Sequence, residues 1–200
     1  MIGKIRKGRS FGGCIRYVTQ KDDAKIIASE GVLLGTAEEM ARSFRWQCLL
    51  NPDVTKPVGH IALSFKPEDA PRLTDAFMAS LAEEYLELIG IRNTQFIVVR
   101  HHGTDNPHCH IVFNRVDFDG KVISDSNDFR RNEKVTKMLK DKYSLTYSEG
   151  KQSVKTEKLH ASEKVKYEIY RAVKEALRSA DTWKEFQNKL LKMGVEMEFK

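Results

Sequence analysis

The sequence predicts an α+β fold in which a central antiparallel β-sheet carries its helices mainly on one face. Strand-like alternation of apolar and polar residues occurs near the N-terminus and at residues 60–65, and residues 96–99 form a short apolar run typical of a buried strand. Segments of helical periodicity separate these strands, and a short polar turn joins two of them. The resulting order, βαβαββα, contains a hairpin and is typical of an antiparallel sheet with packed helices.

The first elements follow from local patterns. Residues 1–7 alternate apolar and basic side chains and predict a strand. A Gly-, Ser- and Arg-rich turn follows, and residues 15–18 then form either a short helix or an extended segment. Residues 24–34 indicate a strand or a turn. Thr36-Ala37-Glu38-Glu39 is a capping box, which opens a helix that ends before Asn51-Pro52.

The middle of the chain holds the strongest periodic signals. Residues 60–65 predict a strand with Ile61, Leu63 and Phe65 on its apolar face. A helix is expected from near Pro71 to Gly90, because proline suits a first helical turn and glycine a helix end. Further along, a short strand is expected at Val122-Ile123 and a helix over residues 132–143. The residues expected to face inward from these two helices are Leu73, Phe77, Leu81, Tyr85, Leu88, Val135, Met138 and Leu139.

The chain is expected to divide into a domain over residues 1–150 and a helical extension over 151–200. Residues 144–158 are polar and contain Gly, Ser and Lys, as a linker does. Two amphipathic helices follow, and Val195 to Phe199 is expected to form a last strand. The apolar residues expected to line these helices are Val165, Ile169, Ala172, Val173, Leu177, Trp183, Phe186 and Leu190.

Composition narrows the classes of protein. The net charge is +6, and seven Lys or Arg residues stand against two Asp in the first 25 residues, which suits a polyanionic partner. Three widely spaced cysteines form no disulfide framework. No apolar run is long enough to span a bilayer, and the N-terminus lacks the hydrophobic segment of a signal peptide. The expected location is therefore the cytoplasm.

Residues 100–114 hold the most informative motif, because they contain four of the six histidines. His108 and His110 are spaced i, i+2, which places both side chains on one face of a strand. Asn106-Pro107 is a turn signal, and an apolar strand precedes it. Imidazoles gathered on one hairpin can hold a divalent cation and leave coordination positions open. The alternative is a set of hydrogen-bonded imidazoles that only brace the hairpin.

Tyr17 is the candidate nucleophile if the bound substrate is a phosphodiester. It lies beside Arg16 and Lys21 in a glycine-flanked segment. A phenol has a pKa of about 10 and needs nearby cations or a base to react as the phenolate. The alternative is a core aromatic with no chemical role, and the spacing alone does not decide between the two.

Three segments together resemble the relaxases, the mobilisation nucleases (MobA/VirD-like) of conjugative and mobilisable plasmids and transposons. Ser10 to Thr19, with Phe11 followed by Ile15-Arg16-Tyr17-Val18-Thr19, resembles the family's nucleophile motif. His60 to Phe65 resembles its middle motif, and His101 to Asn114 its histidine motif. The three occur in the family's order, within about residues 1–150. The family belongs to the wider superfamily of histidine-hydrophobe-histidine endonucleases.

The resemblance implies a nuclease fold and a metal-dependent, site- and strand-specific transesterase. Tyr17 would attack a scissile phosphate in single-stranded DNA at an origin of transfer, leaving a 5′-phosphotyrosyl link and a free 3′-hydroxyl that is later rejoined. His101, His108 and His110 would hold Mg²⁺ or Mn²⁺. Imidazoles by themselves suit Zn²⁺, Ni²⁺ or Mn²⁺ better than Mg²⁺, so other divalent ions stay open. Accessory mobilisation proteins and a coupling protein would be partners in conjugation.

Several assignments stay open within this resemblance. Aligning Pro107-His108-Cys109-His110 with the family's motif implies His101 as the upstream ligand, with His102 as the alternative. The two face opposite sides of a strand, and both sides of that strand are equally apolar, so strand parity does not decide between them. Many relatives carry an acid two residues after the upstream histidine, where this chain has Gly103. Asp105 would either replace that acid in orienting an imidazole or only cap the turn. The other side chains expected to reach the site or support it are Asn114, His60 and Ser64.

Basic residues near the N-terminus are expected to contact the DNA backbone, with an affinity that falls as salt rises. Phe11 and Phe113 are expected in the core rather than against bases. The expected phosphate contacts are Lys4, Arg6, Lys7, Arg9 and Arg16.

Three other functions remain as alternatives. A rolling-circle replication initiator or transposase of the same class would use a tyrosine after the histidines, such as Tyr143 or Tyr147. A metal-dependent hydrolase would activate water, with Glu68 or Asp105 as base. A non-catalytic DNA-binding module would use the histidines only as a brace. The sequence is compatible with a natural short relaxase and with the N-terminal piece of a longer one.

Overall fold

The computed structural model describes residues 1–147 and 161–198. The chain forms two compact units, Met1–Ser148 and Glu149–Lys200. The first unit is an antiparallel sheet covered by helices and the second is helical, which confirms the predicted α+β class. Among the described helices, none has the length and apolar character needed to cross a membrane.

The sheet of the first unit has five strands, all antiparallel to their neighbours, in the order β1-β3-β5-β4-β2. The predicted histidine hairpin forms its centre: β4 and β5 pair so that His101 lies opposite His108. The strands are β1 (Ile2–Gly8), β2 (Ala24–Glu30), β3 (Val58–Ser64), β4 (Phe96–His101) and β5 (His108–Asn114).

Four α-helices pack on this sheet, and the first three begin at a capping Ser or Thr side chain. Ser10 accepts a hydrogen bond from the amide of Gly13, and Thr36 forms the predicted capping box with Glu39. Gly90 ends a helix at φ +83°, a conformation that favours glycine. The helices are α1 (Phe11–Thr19), α2 (Ala37–Cys48), α3 (Asp75–Ile89) and α4 (Asp128–Tyr143), and a 3₁₀ helix spans Pro67–Arg72.

The helices cover both faces of the sheet, so the expectation that they lie mainly on one face is wrong. Ile61 and Ile111 pack on one face among residues of α3 and α4. Val99 and Val112 pack on the other face, under α1 and α2. The reason is visible in β5, where Ile111-Val112-Phe113 is continuously apolar, as in a strand buried on both sides. The two sides are called the α1–α2 face and the α3–α4 face below.

Some predicted boundaries and inward residues also differ. Pro71 lies in the 3₁₀ helix, and α3 begins only at Asp75 with Thr74 as its cap. Helix α4 begins four residues earlier than predicted. Leu88 and Met138 are exposed rather than inward. The predicted strand at Val122-Ile123 is a single bridge between Val116 and Val122.

The second unit contains α5 (Ala161–Ser179) and α6 (Trp183–Lys192). Its buried core consists of Ala172, Ala176, Phe186 and Leu190. Residues 195–198 do not form the predicted last strand, and Phe199 lies outside the described residues. Residues 148–158 of the predicted linker also lie outside the described residues. The residues expected to line these helices that are instead exposed are Val165, Ile169, Leu177 and Trp183.

Asn114 holds α2 against the sheet. It was expected to reach the histidines or support them, but its side-chain contacts lie elsewhere. Its side chain is fully buried at the end of β5. The amide Nδ2 donates to the carbonyl of Phe44 at 3.0 Å and to Gln95 Oε1 at 3.3 Å. The Oδ1 atom accepts from the amide of Val116 at 3.1 Å. Every polar atom of the side chain is therefore used for structure.

We predict that Asn114→Ala lowers the free energy of unfolding by about 2–4 kcal/mol, because several buried partners lose their hydrogen bonds. Urea denaturation measures this loss. Asn106→Ala, in an exposed turn, is the control and is expected to change stability by less than about 0.5 kcal/mol. An Asn114 variant as stable as the wild type would contradict this structural role.

Candidate metal centre

The central hairpin brings three imidazoles together on the α1–α2 face. His101 ends β4, and His108 and His110 lie on β5, with His108 directly across from His101. One ring nitrogen from each lies within 4.8 Å of the others. His101 and His110 are buried, whereas His108 is half-buried. The grouping is the one that the sequence predicted.

His101 is oriented by the helix that carries Tyr17. Its Nε2 lies 2.8 Å from the carbonyl oxygen of Val18, in the last turn of α1. A carbonyl only accepts hydrogen bonds, so Nε2 carries the proton and Nδ1 keeps a lone pair. The last carbonyls of a helix have no partner within the helix, and this imidazole satisfies one of them.

His108 is oriented in the same way by its own turn. Its Nδ1 lies 3.1 Å from the carbonyl oxygen of Asn106 and 3.1 Å from Oγ1 of Thr104, and because that hydroxyl donates to the same carbonyl, a proton on Nδ1 satisfies both oxygens. The lone pair on Nε2 then faces His101 Nδ1, 3.2 Å away. Two nitrogens bound to one cation about 2.1 Å away, at octahedral to tetrahedral angles, lie roughly 3.0–3.4 Å apart. The observed spacing fits a shared cation.

His110 receives its outer contact from a fourth histidine. Its Nδ1 lies 3.0 Å from Nε2 of His60. His60 lies on β3, two residues from Ala62, which is the residue directly opposite His110. If His110 Nδ1 donates to His60, then His110 Nε2 is free to bind a cation beside the other two histidines. His60 was predicted to support the site, and the structure places it in that position.

Burial lowers the pKa of His110, His108 and His60. It lowers the pKa of His110 to about 3, with further contributions from the surrounding histidines and Lys21. Neutral imidazoles are the form that binds metals, so the lowered pKa values of His108 and His110 favour cation binding by these two residues at neutral pH.

The remaining candidates from the histidine loop lie elsewhere. His102 is exposed, and its Nε2 lies 3.5 Å from Asp75 on the α3–α4 face, so it is not part of the cluster. Asp105 is exposed in the turn. Ser64 is half-buried and lies opposite His108 at the end of β3. Of these three residues, only Ser64 borders the cluster.

Asp23 is a residue that sequence reasoning missed. Its carboxylate accepts a hydrogen bond from the amide of Gly103 at 2.6 Å, which lowers its pKa. Its carbonyl accepts from the amide of His102 at 3.2 Å. Asp23 thus fixes the turn after His101, the task expected of Asp105. A Cβ atom at position 103 would lie 2.6 Å from the Asp23 carboxylate, which explains the glycine there. No spacing in the sequence links these two positions.

Tyr17 projects from α1 beside the cluster. Its ring meets the rings of His110 and His60 edge to face, with centroids 5.8 and 6.0 Å apart. The side chain is 61% exposed, so it is not a core aromatic. Residues 15–18 form part of helix α1, the helical one of the two predicted alternatives. This helix directs Ile15 and Val18 into the core and Tyr17 toward solvent.

The predicted DNA-contacting cations divide between the two faces. Lys4 and Arg6 lie on the α1–α2 face of β1, opposite Ala62 and His60. Lys7 points to the other face and pairs with Asp125 and Asp128, at 2.7 and 2.9 Å. The structure therefore does not bring Lys7 to the site. Arg9 follows β1 and Arg16 lies on α1, and both are exposed.

The residues named for other functions lie apart from the histidines. Tyr143 packs against the core of the α3–α4 face and hydrogen-bonds to Glu84. Tyr147 hydrogen-bonds to Asp141 of α4. Glu68 is exposed in the 3₁₀ helix. Phe11 and Phe113 are core residues, as expected, and Phe11 stacks on Phe44 with centroids 4.7 Å apart.

The fold brings three converging imidazoles, a group that could hold a cation, to one face of an antiparallel sheet, with an exposed tyrosine beside them. The family model for the relaxase, MobA/VirD2-like, nuclease domain matches residues 17–145. The chain therefore belongs to the relaxase family, whose members are endonucleases that act on single-stranded DNA and generally depend on a metal. No curated protein matches the sequence.

We predict that His101→Ala and His102→Ala separate sharply in metal affinity. Loss of His101 removes a converging nitrogen and should weaken Mn²⁺ binding by at least about 100-fold, whereas loss of His102 should leave it within about twofold. Isothermal titration calorimetry measures both affinities. Equal effects at the two positions would contradict the geometry of the cluster.

Proposed function

We propose that the protein is a relaxase that nicks and rejoins one DNA strand at an origin of transfer during conjugative mobilisation. Family membership supports the nicking role. The observation that carries the finer proposal is the position of Tyr17, whose exposed ring lies against His110 of the cluster and against its outer partner His60. A nucleophile and a cation site thus border the same open surface.

We assign His101, His108 and His110 as the ligands of a divalent cation. Two of their outer contacts are backbone carbonyls, which direct the lone pairs of His101 and His108 to the centre of the cluster, and His110 does the same when its Nδ1 donates to His60. The bound ion would polarise the scissile phosphate and stabilise charge on its non-bridging oxygens. The all-imidazole donor set favours Mn²⁺ over Mg²⁺, although either ion can serve when phosphate and water oxygens fill the open positions.

Tyr17 is proposed as the nucleophile. Its phenol oxygen would form a bond to phosphorus as the bond to the 3′ oxygen breaks, giving a 5′-phosphotyrosyl link and a 3′-hydroxyl. The phenol proton would pass to solvent, to which the side chain is open, and the departing 3′ oxygen would take a proton from solvent. Attack by a 3′-hydroxyl on the same phosphorus reverses the step and restores the strand. The tyrosine is then released as a phenol.

The partners follow from this role and are part of the proposal. The substrate is single-stranded DNA, bound through Lys4 and Arg6 at the site and through the exposed Arg9 and Arg16 beside it. Conjugation would add accessory mobilisation proteins and a coupling protein, and the reaction would take place in the cytoplasm. The nick site would lie in the origin of transfer of the plasmid or transposon that is mobilised.

We predict that Tyr17→Phe abolishes the covalent protein–DNA adduct. The assay uses labelled single-stranded oligonucleotides from the origin region with Mn²⁺, Mg²⁺ or EDTA, and adducts are separated on a denaturing protein gel. The ring stays in place, so DNA and Mn²⁺ affinities should remain within about threefold of the wild type.

Tyr143→Phe is the matched control for this experiment, because Tyr143 packs on the α3–α4 face. It should form the adduct at the wild-type rate. Cleavage without an adduct in the wild type would indicate activated water and a hydrolase. An adduct lost in Tyr143→Phe and kept in Tyr17→Phe would instead favour the replication-initiator mechanism.

We also predict that His60→Leu weakens Mn²⁺ binding by about 10- to 100-fold, the usual effect of removing the outer partner of a metal-bound histidine. His60→Gln keeps an acceptor near His110 Nδ1 and should recover most of the affinity. Calorimetry measures the binding, and Co²⁺ absorption spectra report the coordination number. A Co²⁺ spectrum that changes class in His60→Gln would mean that His60 is itself a ligand.

A further inference from the structure

A cavity of about 350 Å³ opens beside Tyr17, between α1 and the β1–β3 side of the sheet. His60 and His110 line the side that borders the metal centre. The volume lies at the lower end of the range of about 300–1,000 Å³ that is usual for small-ligand sites. It suits a ligand of the size of one nucleotide better than a longer segment.

Small residues keep this cavity open. Ala62 lies on the α1–α2 face of β3, two residues from His60, and its side chain is the smallest that a strand can present there apart from glycine. Gly13 forms part of the wall contributed by α1. A Cβ atom at Gly13 would meet only Ser10, at ordinary contact distances. Larger side chains at positions 13 and 62 would therefore project into the space without a backbone clash at position 13.

The outer wall of the cavity is cationic. Lys4 and Arg6 lie side by side on the same face of β1, directly opposite Ala62 and His60. Within residues 1–147 and 161–198, neither cation forms an ion pair with a carboxylate, whereas Lys7 on the same strand forms two. Unpaired cations at 4 and 6 are available to phosphate groups.

The opposite side of the metal centre carries charges of both signs, because Lys21, whose charge acts on His108 and His110, precedes a group of carboxylates there. Asp22 and Asp23 lie in the turn before β2, and Asp105 lies in the turn between β4 and β5. Asp23 contacts the loop after His101 directly. Carboxylates on that side oppose the attraction of Lys21 for phosphate, whereas Lys4 and Arg6 at β1 have no carboxylate paired with them in the described part of the chain, so the wall at β1 is the favoured route for a DNA strand.

We propose that this cavity binds a single unstacked nucleotide of the DNA strand, next to the scissile phosphate. This inference rests on the proposed relaxase function. The base would lie against the rings of Tyr17 and His60, and Lys4 and Arg6 would hold the phosphates beyond it. The strand would then leave the metal centre across β3 and β1 and not across β4 and β2. Binding in the cavity would also set the scissile phosphate in front of Tyr17.

The test fills the cavity and leaves the cation site in place. Ala62→Leu and Gly13→Leu are compared with the wild type for binding to a fluorescein-labelled dT12 oligonucleotide, by anisotropy in EDTA, and to Mn²⁺, by calorimetry. We expect each leucine to weaken DNA binding by about tenfold, as loss of one base-stacking contact does. Mn²⁺ affinity should stay within about twofold.

The charge on the outer wall is tested in parallel. Affinity for DNA falls as salt rises, and the double variant Lys4→Gln with Arg6→Gln should make the plot of log affinity against log salt shallower by about 1.4, since each phosphate contact to a single strand contributes about 0.7 to its steepness. Lys7→Gln, on the same strand but on the α3–α4 face, is the matched control. It should leave the slope unchanged.

The outcomes separate the cavity from the relaxase mechanism. Wild-type dT12 affinity in both leucine variants, with adduct formation retained, would overturn the cavity and keep the relaxase. Weaker DNA binding in both variants, with no adduct from any origin oligonucleotide in the wild type, would keep the cavity and contradict the transesterase. A wild type that does not bind dT12 or any origin oligonucleotide would overturn the cavity as a nucleotide site. If Ala62→Leu also loses Mn²⁺, Gly13→Leu decides, because position 13 lies on the helix and away from the sheet.

Discussion

The hydrogen bond from His101 to the carbonyl of Val18 joins the cation site to the helix that carries the tyrosine. Its length of 2.8 Å fixes the end of α1 against the end of β4. The same bond sets the proton on His101 Nε2 and directs the lone pair of Nδ1 to the centre of the cluster. One contact thus positions a ligand and, one residue away in the helix, the proposed nucleophile.

The other residues of the site are likewise held by backbone and side-chain contacts within the fold. The carbonyl of Asn106 holds His108, and His60 from the neighbouring strand contacts His110. Asp23 holds the turn between His101 and His108. The sheet beneath is buried on both faces, so the hairpin has little freedom to shift. A cation would therefore meet a preorganised set of nitrogens, which reduces the cost of binding it.

Local patterns in the sequence were sufficient for much of this structure. The His-x-His spacing and the Asn106-Pro107 turn predicted the hairpin, and the capping box at Thr36 predicted the start of α2. The division of helices between two faces was not predicted, although the apolar run of Ile111 to Phe113 carried the signal. Asp23 and the role of Asn114 depend on contacts between residues 80 and 70 positions apart, which no local period reports. The choice between His101 and His102 needed strand parity relative to the packed helices, which only the folded chain defines.

The most direct test of the central claim is anomalous diffraction from crystals soaked in Mn²⁺. The account predicts one strong peak at about 2.0–2.3 Å from Nδ1 of His101, Nε2 of His108 and Nε2 of His110, on the side that faces Tyr17. The Val18 carbonyl should still accept from His101 in that structure. A peak held by the carboxylates of Asp23 or Asp75, or no peak at the three imidazoles, would contradict the account.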